Sequence, residues 1–437
     1  MTPSGRLRVH IAGCVALLCA VAVALLGDLS AHVPAMLAGL ALGFAPVGAM
    51  ALMATSGRSL LPGRRRQVVL LVLAWALLLR LPALFLTEPT LSDDIFRYVW
   101  EGRLVALQID PYDVPPDSPA LTRLALDSPE WASINHRELP AIYPPAAQWF
   151  FGTVARFSPT PFAMRAAMVA VDLVLVALLG ALVVVSRRDP RWLAVYAWHP
   201  LVIVEVASSG HYEPLAILPL VGGLLAWRVH RSGASSWLLW GAAVATKYVG
   251  GAAAWFAARR LIDEGRWERA LFGLFLSGLM ALLFALPFAL DGRPPIGSLG
   301  TYVQHWGHNG SVHALLTSVI GYHPARKVVF VLFGLWALAL AWRGPEPAKG
   351  FLLLFAGLIV LSPVVHPWYG LWLIALLPLF PSPALLTLSA LLPLSYLAWT
   401  VQAAGGGWEA PPWVPWLEYG APLAVGLLSW LARRPSS

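Results

Sequence analysis

Charge is what this sequence has least of. Asp, Glu, Lys and Arg together make up 12% of its 437 residues, and 58% of the chain is hydrophobic. Soluble globular domains carry a charged fraction of about 25%, so an ordinary soluble fold is excluded. Lysine is rarer still, confined to Lys247, Lys327 and Lys349, and arginine carries most of the formal charge of +8. The arginines fall in short clusters between apolar runs. That is the positive-inside pattern of membrane proteins, and it excludes the continuous basic stripe of a nucleic-acid binder. Cysteine is limited to Cys14 and Cys19, both in the first apolar run. No disulfide framework or cysteine-based metal site can be built from them. Scarce lysine beside abundant Ala, Gly and Pro suits a GC-rich bacterial genome.

What is present is apolar length. Runs able to cross a bilayer occur near 9–27, 33–54, 67–86, 162–186, 192–208, 214–229, 270–290, 325–342, 351–366, 368–381, 383–401 and 415–432, predicting an all-α polytopic membrane protein of about 12–14 spans. The first run follows Arg6 and Arg8 but offers no small-residue cleavage site, so it reads as a retained helix rather than a signal peptide. Residues 235–259 form a further apolar stretch interrupted by Thr246-Lys247-Tyr248, either one helix or two short helices meeting at the lysine. No inverted repeat of the transporter kind is visible.

Orientation follows from Arg6/Arg8, Arg58 with Arg64 to Arg66, Arg187/Arg188/Arg191, Arg228/Arg231, Arg259/Arg260/Arg266, Arg343/Lys349 and Arg433/Arg434. All of these are cytoplasmic in one alternating topology if 235–259 is a hairpin. Both termini are then cytoplasmic. The loop 87–161, Gly210-His211-Tyr212-Glu213, the loop 291–324, His366-Pro367 and the loop 402–414 face outward, with Lys247 near the same side. The expected layout is one membrane-embedded domain over 1–437, with two additional N-terminal spans in 1–66 and an outer loop at 87–161.

That loop is too long for a simple connection, and long loops usually carry function. It opens on Leu91-Ser92-Asp93-Asp94-Ile95. Ser92 is placed to cap a helix, and Ile95, Val99, Trp100 and Leu104 form an apolar stripe at helical spacing, predicting a helix in the membrane interface. Asp110-Pro111-Tyr112, Pro115-Pro116 and Tyr143-Pro144-Pro145 punctuate the rest as turns.

Asp93 and Asp94 have two readings. Acidic residues in a first turn complement the helix dipole, and Asp93, Arg97 and Glu101 at i, i+4, i+8 form a structural ladder. Alternatively, one carboxylate takes a proton from a hydroxyl nucleophile while the other orients the substrate. Two adjacent carboxylates resist ionising together without a nearby cation such as Arg97 or a divalent metal. Lys247 in an apolar run is a functional candidate because an intramembrane cation is costly; the alternative is snorkelling. Glu205, His211 and Glu213 suggest a cavity wall or interhelical hydrogen bonds. His366-Pro367-Trp368-Tyr369 suits phosphate or sugar binding, although Trp and Tyr also populate membrane interfaces. His305, His308, Asn309 and His313 match no standard zinc spacing. Asp172 reads as a buried structural partner.

Taken together, the segment Ser92 to Arg103, Asp110-Pro111-Tyr112, Ile142-Tyr143-Pro144-Pro145, Glu205 through Gly210-His211, Lys247 and His366 to Tyr369 resembles the GT-C glycosyltransferases. These are multispanning enzymes that use polyprenyl-phosphate sugars, and the resemblance is greatest to the bacterial mannosyltransferase branch akin to glycosylphosphatidylinositol mannosyltransferase I. It implies Asp93 as general base with Asp94 as alternative or helper. It also implies substrate contacts from Arg97, Tyr98, Glu205, His211, Lys247, Asn309, His366 and Tyr369. Many relatives have Asn-Asp or Asn-Glu after the Gly-His, where this chain has Tyr212-Glu213. Metal use varies among such enzymes and does not transfer, so Mg or Mn stays open and no metal-ligating residue is assigned. The implied function moves a hexose, mannose by resemblance, from a polyprenyl-phosphate donor to a lipid or glycan hydroxyl at the outer face of the bacterial cytoplasmic membrane, with inversion. The alternatives are a transporter or flippase of a lipid-linked or anionic substrate, and a non-catalytic assembly subunit.

Overall fold

A computed structural model describes residues 3–56, 62–230, 233–290 and 292–432. Arg58, Arg231, Arg433 and Arg434, used above for orientation, lie outside the described residues. The longer helices in chain order are α1 (Pro3–Ala24), α2 (Val33–Thr55), α3 (Pro62–Leu86), α4 (Asp94–Ala106), α5 (Pro145–Phe157), α6 (Pro161–Val185), α7 (Glu213–Val229), α8 (Ala234–Thr246), α9 (Ala252–Asp263), α10 (Trp267–Ala285), α11 (Tyr322–Arg343), α12 (Pro347–Leu361) and α13 (Val414–Leu431). No strand occurs among the described residues beyond isolated bridges of His308 and Asn309 with Val364. A bilayer offers the backbone no hydrogen bonds, so apolar spans must satisfy themselves as helices.

Seven helices among the described residues are long and apolar enough to span: Gly5–Ala24, Val33–Thr55, Gly63–Leu86, Pro161–Val185, Trp267–Phe288, Tyr322–Arg343 and Pro383–Ala403. Each falls on a predicted run. Of the remaining predicted runs, 214–229 and 415–432 fold as the single helices α7 and α13, and the others are shorter or broken. Residues 192–208 form single-turn helices followed by a π-helical turn, and 235–259 divides into α8 and α9. The break lies at Lys247, whose φ of −156° and ψ of 120° are extended. The two-helix alternative therefore holds there. Arg80, buried within α3, donates to the carbonyls of Ala76 (2.8 Å) and Ala197 (2.9 Å). That contact ties the irregular 190s segment to a regular span.

The chain forms two compact units. Unit 1 comprises 1–88, 179–205 and 307–437; unit 2 comprises 89–178 and 206–306. In unit 2, α4 packs against α5 at van der Waals limits: a Cβ on Gly102 would lie 2.5 Å from the Phe151 carbonyl oxygen. The stripe Ile95, Val99, Trp100 and Leu104 is buried as predicted, but so are Arg97, Tyr98, Glu101 and Gly102 on the other faces. The helix is thus an internal element of the folded loop rather than a half-submerged one. Around it, Trp100 and Leu104 pack with Leu121 and Ile134, and Val105 packs with Tyr112, Ala141 and Phe288. The Asp110 carboxylate accepts from the Tyr112 backbone N–H at 2.8 Å, closing the predicted turn. The Tyr112 hydroxyl then donates to the Tyr143 carbonyl at 2.6 Å.

Candidate active site

Asp93 occupies the N-cap position of α4, one residue beyond the expected Ser92. The Ser92 hydroxyl instead accepts from the Asp94 N–H at 3.3 Å. Neither Asp93 carboxylate oxygen caps the helix. Its Oδ1 accepts from the Asn135 side-chain amide at 2.7 Å. Burial, reinforced by the negative charge of Asp94, pushes Asp93 up to about 6. A carboxylate so placed holds a proton far better than a surface aspartate while still being ionised at neutral pH.

Asp94 points to a different set of groups. Its Oδ2 accepts from the Tyr98 hydroxyl at 3.4 Å and lies 3.9 Å from His211 Nε2. Gly210 positions that histidine. Its φ of +77° is left-handed, and a Cβ there would lie 2.6 Å from Ile95 Cδ1 and 2.9 Å from Arg165 Cγ. Tyr98 stacks on Phe151 (4.6 Å) and meets Tyr143 and Tyr212 edge-on (5.0 and 5.6 Å). Burial raises the phenols of Tyr98 and Tyr143 well above their ordinary value, which keeps both neutral donors.

Beyond Tyr212 the site reaches the lysine. Lys247 lies 5.0 Å from the Tyr212 ring centroid and forms an ion pair with Glu213. The Glu213 side chain is 1% exposed and that of Lys247 is 23% exposed. Glu213, whose place was open in the sequence, is thus the ion-pair partner of the lysine. Beside Thr246 an apolar groove of about 340 Å³ is lined by Trp149, Phe150, Leu215, Leu218 and Phe284 among others.

Arg97 is placed differently from the expectation. Its Nε donates to Glu101 at 3.1 Å, and its two terminal nitrogens donate to the carbonyls of Asn135, His136, Leu139 and Pro140 at 2.9–3.3 Å. These contacts occupy all five guanidinium N–H groups, leaving no donor for a substrate phosphate. Arg97 clamps the 135–140 segment to α4 and so presents Asn135 to Asp93. Glu101 is held in turn by the Gln148 amide at 2.6 Å.

Asp93, Asp94, Tyr98, His211 and Lys247 therefore gather in unit 2. Glu205, Asn309, His366 and Tyr369 belong to unit 1. There the Glu205 carboxylate accepts from the Tyr396 hydroxyl at 2.7 Å, and the Asn309 amide donates to Glu418 at 2.7 Å. Asp172 is buried within α6. Among the described residues no group of three or more His, Cys, Asp or Glu side chains is arranged to hold a metal ion. Sequence reasoning missed Asn135 and Glu418. An asparagine 42 residues from its carboxylate, and an acid in an otherwise unremarked last span, carry no local signal.

A family described as "Alpha-(1->6)-mannopyranosyltransferase, N-terminal domain" matches residues 8–262, more than half of the chain. The chain belongs to this family. The matched segment contains Asp93, Asp94, Tyr98, Asn135, Glu205, His211, Glu213 and Lys247, and it stops short of Asn309, His366 and Tyr369. A relative described as a probable alpha-(1->6)-mannopyranosyltransferase from Mycolicibacterium smegmatis is 26% identical over 368 residues, covering 68% of this chain and 62% of its own length. The chain thus spans less than two thirds of that curated relative. No solved structure matches it. Family membership agrees with the GT-C mannosyltransferase resemblance drawn from the motifs.

Within this family member, Asn135 is the residue whose removal tests the Asp93 environment. Asn135→Ala takes a hydrogen bond from the charged carboxylate, which favours the protonated form. The rising limb of any Asp93-dependent pH–rate profile is expected to move to higher pH, with the rate at pH 6 falling by about tenfold. A profile that stays in place would show that the amide does not tune Asp93.

Proposed function

We propose that the protein transfers mannose from a polyprenyl-phosphate donor to a hydroxyl of a lipid or glycan acceptor, with inversion at the anomeric carbon. The observation that carries this reading is Asp93: a carboxylate held near 6, beside Asn135, in a member of a mannopyranosyltransferase family. In the proposed step the acceptor oxygen attacks the anomeric carbon as its proton passes to the Asp93 carboxylate. The bond from that carbon to the phosphate oxygen breaks, and polyprenyl phosphate leaves with the electron pair. Inversion requires base and leaving group on opposite faces of the sugar. Lys247 is assigned to the leaving phosphate, whose growing charge a fixed cation stabilises. The apolar groove beside Thr246 offers the prenyl chain a seat. His211 and Tyr98 orient Asp94 and the sugar. Positive-inside arginines support an outward-facing site in the bacterial cytoplasmic membrane with cytoplasmic termini.

The test is reconstitution of the purified chain in nanodiscs with polyprenyl-phosphate mannose, glucose and arabinose and an oligomannoside acceptor. A new glycosidic bond from the mannose donor, with inverted configuration by NMR, is expected. Movement of labelled donor across a vesicle membrane with no new bond would replace the transferase by a flippase.

A further inference from the structure

Unit 1 carries a column of rings. The His366 imidazole lies flat on the Trp368 indole, centroids 4.3 Å apart and planes 2° apart. His308 stacks on His366 at 4.9 Å and 20°, and Trp408 continues the series at 6.2 Å and 23° from His308. Trp399 meets Trp408 edge-on at 4.6 Å. His366 and Trp368 are two residues apart, whereas His308, Trp399 and Trp408 come from other segments, Trp399 from the helix ending at Ala403. Backbone hydrogen bonds join the His308 and 363–365 segments. The His308 N–H donates to the Pro363 carbonyl at 3.0 Å, and the Val365 N–H donates to the His308 carbonyl at 2.8 Å. Next to His308, Asn309 has a left-handed φ of 53°, which asparagine adopts more readily than most residues with a side chain. It is held there by its amide donating to buried Glu418 (2.7 Å) and by the Tyr419 hydroxyl donating to its carbonyl (2.9 Å). Glu418 also accepts from the Ser395 N–H at 3.1 Å.

An aligned column with an open outer ring has a chemical meaning. Trp408, at the end of the series, is 42% exposed. Aromatic faces carry negative quadrupole density, which attracts the polarised C–H groups on one face of a pyranose. Burial pushes His308 down to about 4, so it is neutral at physiological pH. A neutral imidazole supplies one donor and one acceptor, which suits sugar hydroxyls and gives a phosphate no cation. A tryptophan that merely anchored the protein at the membrane interface would not need the stacked histidines beside it.

We propose that the Trp408–His308–His366–Trp368 column is a carbohydrate-binding platform for a neutral pyranose chain, the acceptor glycan of the transfer reaction. Its identification with the acceptor rests on the transferase reading, whereas pyranose binding does not. The full chain in nanodiscs would be titrated with α-1,6-linked mannotetraose, read by saturation-transfer NMR and by tryptophan fluorescence. Trp408→Ala and His308→Ala are each expected to weaken binding by about tenfold and to raise the acceptor KM in parallel, with little change in kcat. Asp93→Asn is expected to bind the oligosaccharide as the wild type does. Unchanged affinity in both ring variants would overturn the platform and leave the rings as interfacial anchors. Displacement of mannotetraose by inorganic phosphate at the same residues would overturn it as well. Persistent transfer by Asp93→Asn would instead strike the catalytic assignment and leave the platform standing.

Discussion

Asp93→Asn is expected to lower kcat by about a thousandfold, the middle of the range for removing a positioned general base, while the protein stays folded. The loss should be greater than for any other single substitution in the site, because the neighbouring carboxylates are engaged with partners of their own. Asp94 is committed to Tyr98 and His211, and Glu101 is committed to Arg97 and Gln148. The same substitution has an opposite effect on stability. A carboxyl group held near 6 in the folded protein binds its proton more tightly than in the unfolded chain. Its ionisation therefore costs stability as pH rises from about 4 through 6. Asparagine carries no charge, so the variant should unfold at the same temperature as the wild type or higher at pH 7. Transfer assays paired with thermal unfolding in detergent check both halves; a drop in both together would make Asp93 a structural residue. In the wild type, kcat/KM should fall as pH drops through about 6, because the proposed base must be ionised.

The second large effect concerns the buried ion pair. Lys247→Met leaves the Glu213 carboxylate, with its side chain 1% exposed, without its cation. Breaking a buried pair from one side costs about 3–5 kcal/mol, whereas an exposed pair is worth under about 1 kcal/mol. A large fall in the unfolding temperature is expected, together with loss of transfer. The double variant Lys247→Met/Glu213→Gln removes the stranded charge and should recover most of the stability. It should not recover transfer if the lysine stabilises the leaving phosphate. Recovery of both would reduce Lys247 to a counter-ion for Glu213.

Much of this protein was settled by its sequence. Helical, membrane-embedded architecture follows from apolar length alone, since a bilayer leaves the backbone no other way to satisfy its hydrogen bonds. The adjacent carboxylates of Asp93 and Asp94, the intramembrane Lys247 and the Gly210-His211 pair were also legible, because polar groups in apolar runs stand out against their surroundings. The tertiary structure decided which partners those groups have. Arg97 looked like a substrate contact until its five donors were seen to be spent on Glu101 and the 135–140 carbonyls. Asn135 and Glu418 were invisible because hydrogen bonds between residues far apart in the chain leave no periodic trace. The break at Lys247 was open between one helix and two, since a short apolar run fits either until its neighbours pack. Periodicity reports local burial; the partner of a buried polar group is fixed only when distant segments meet.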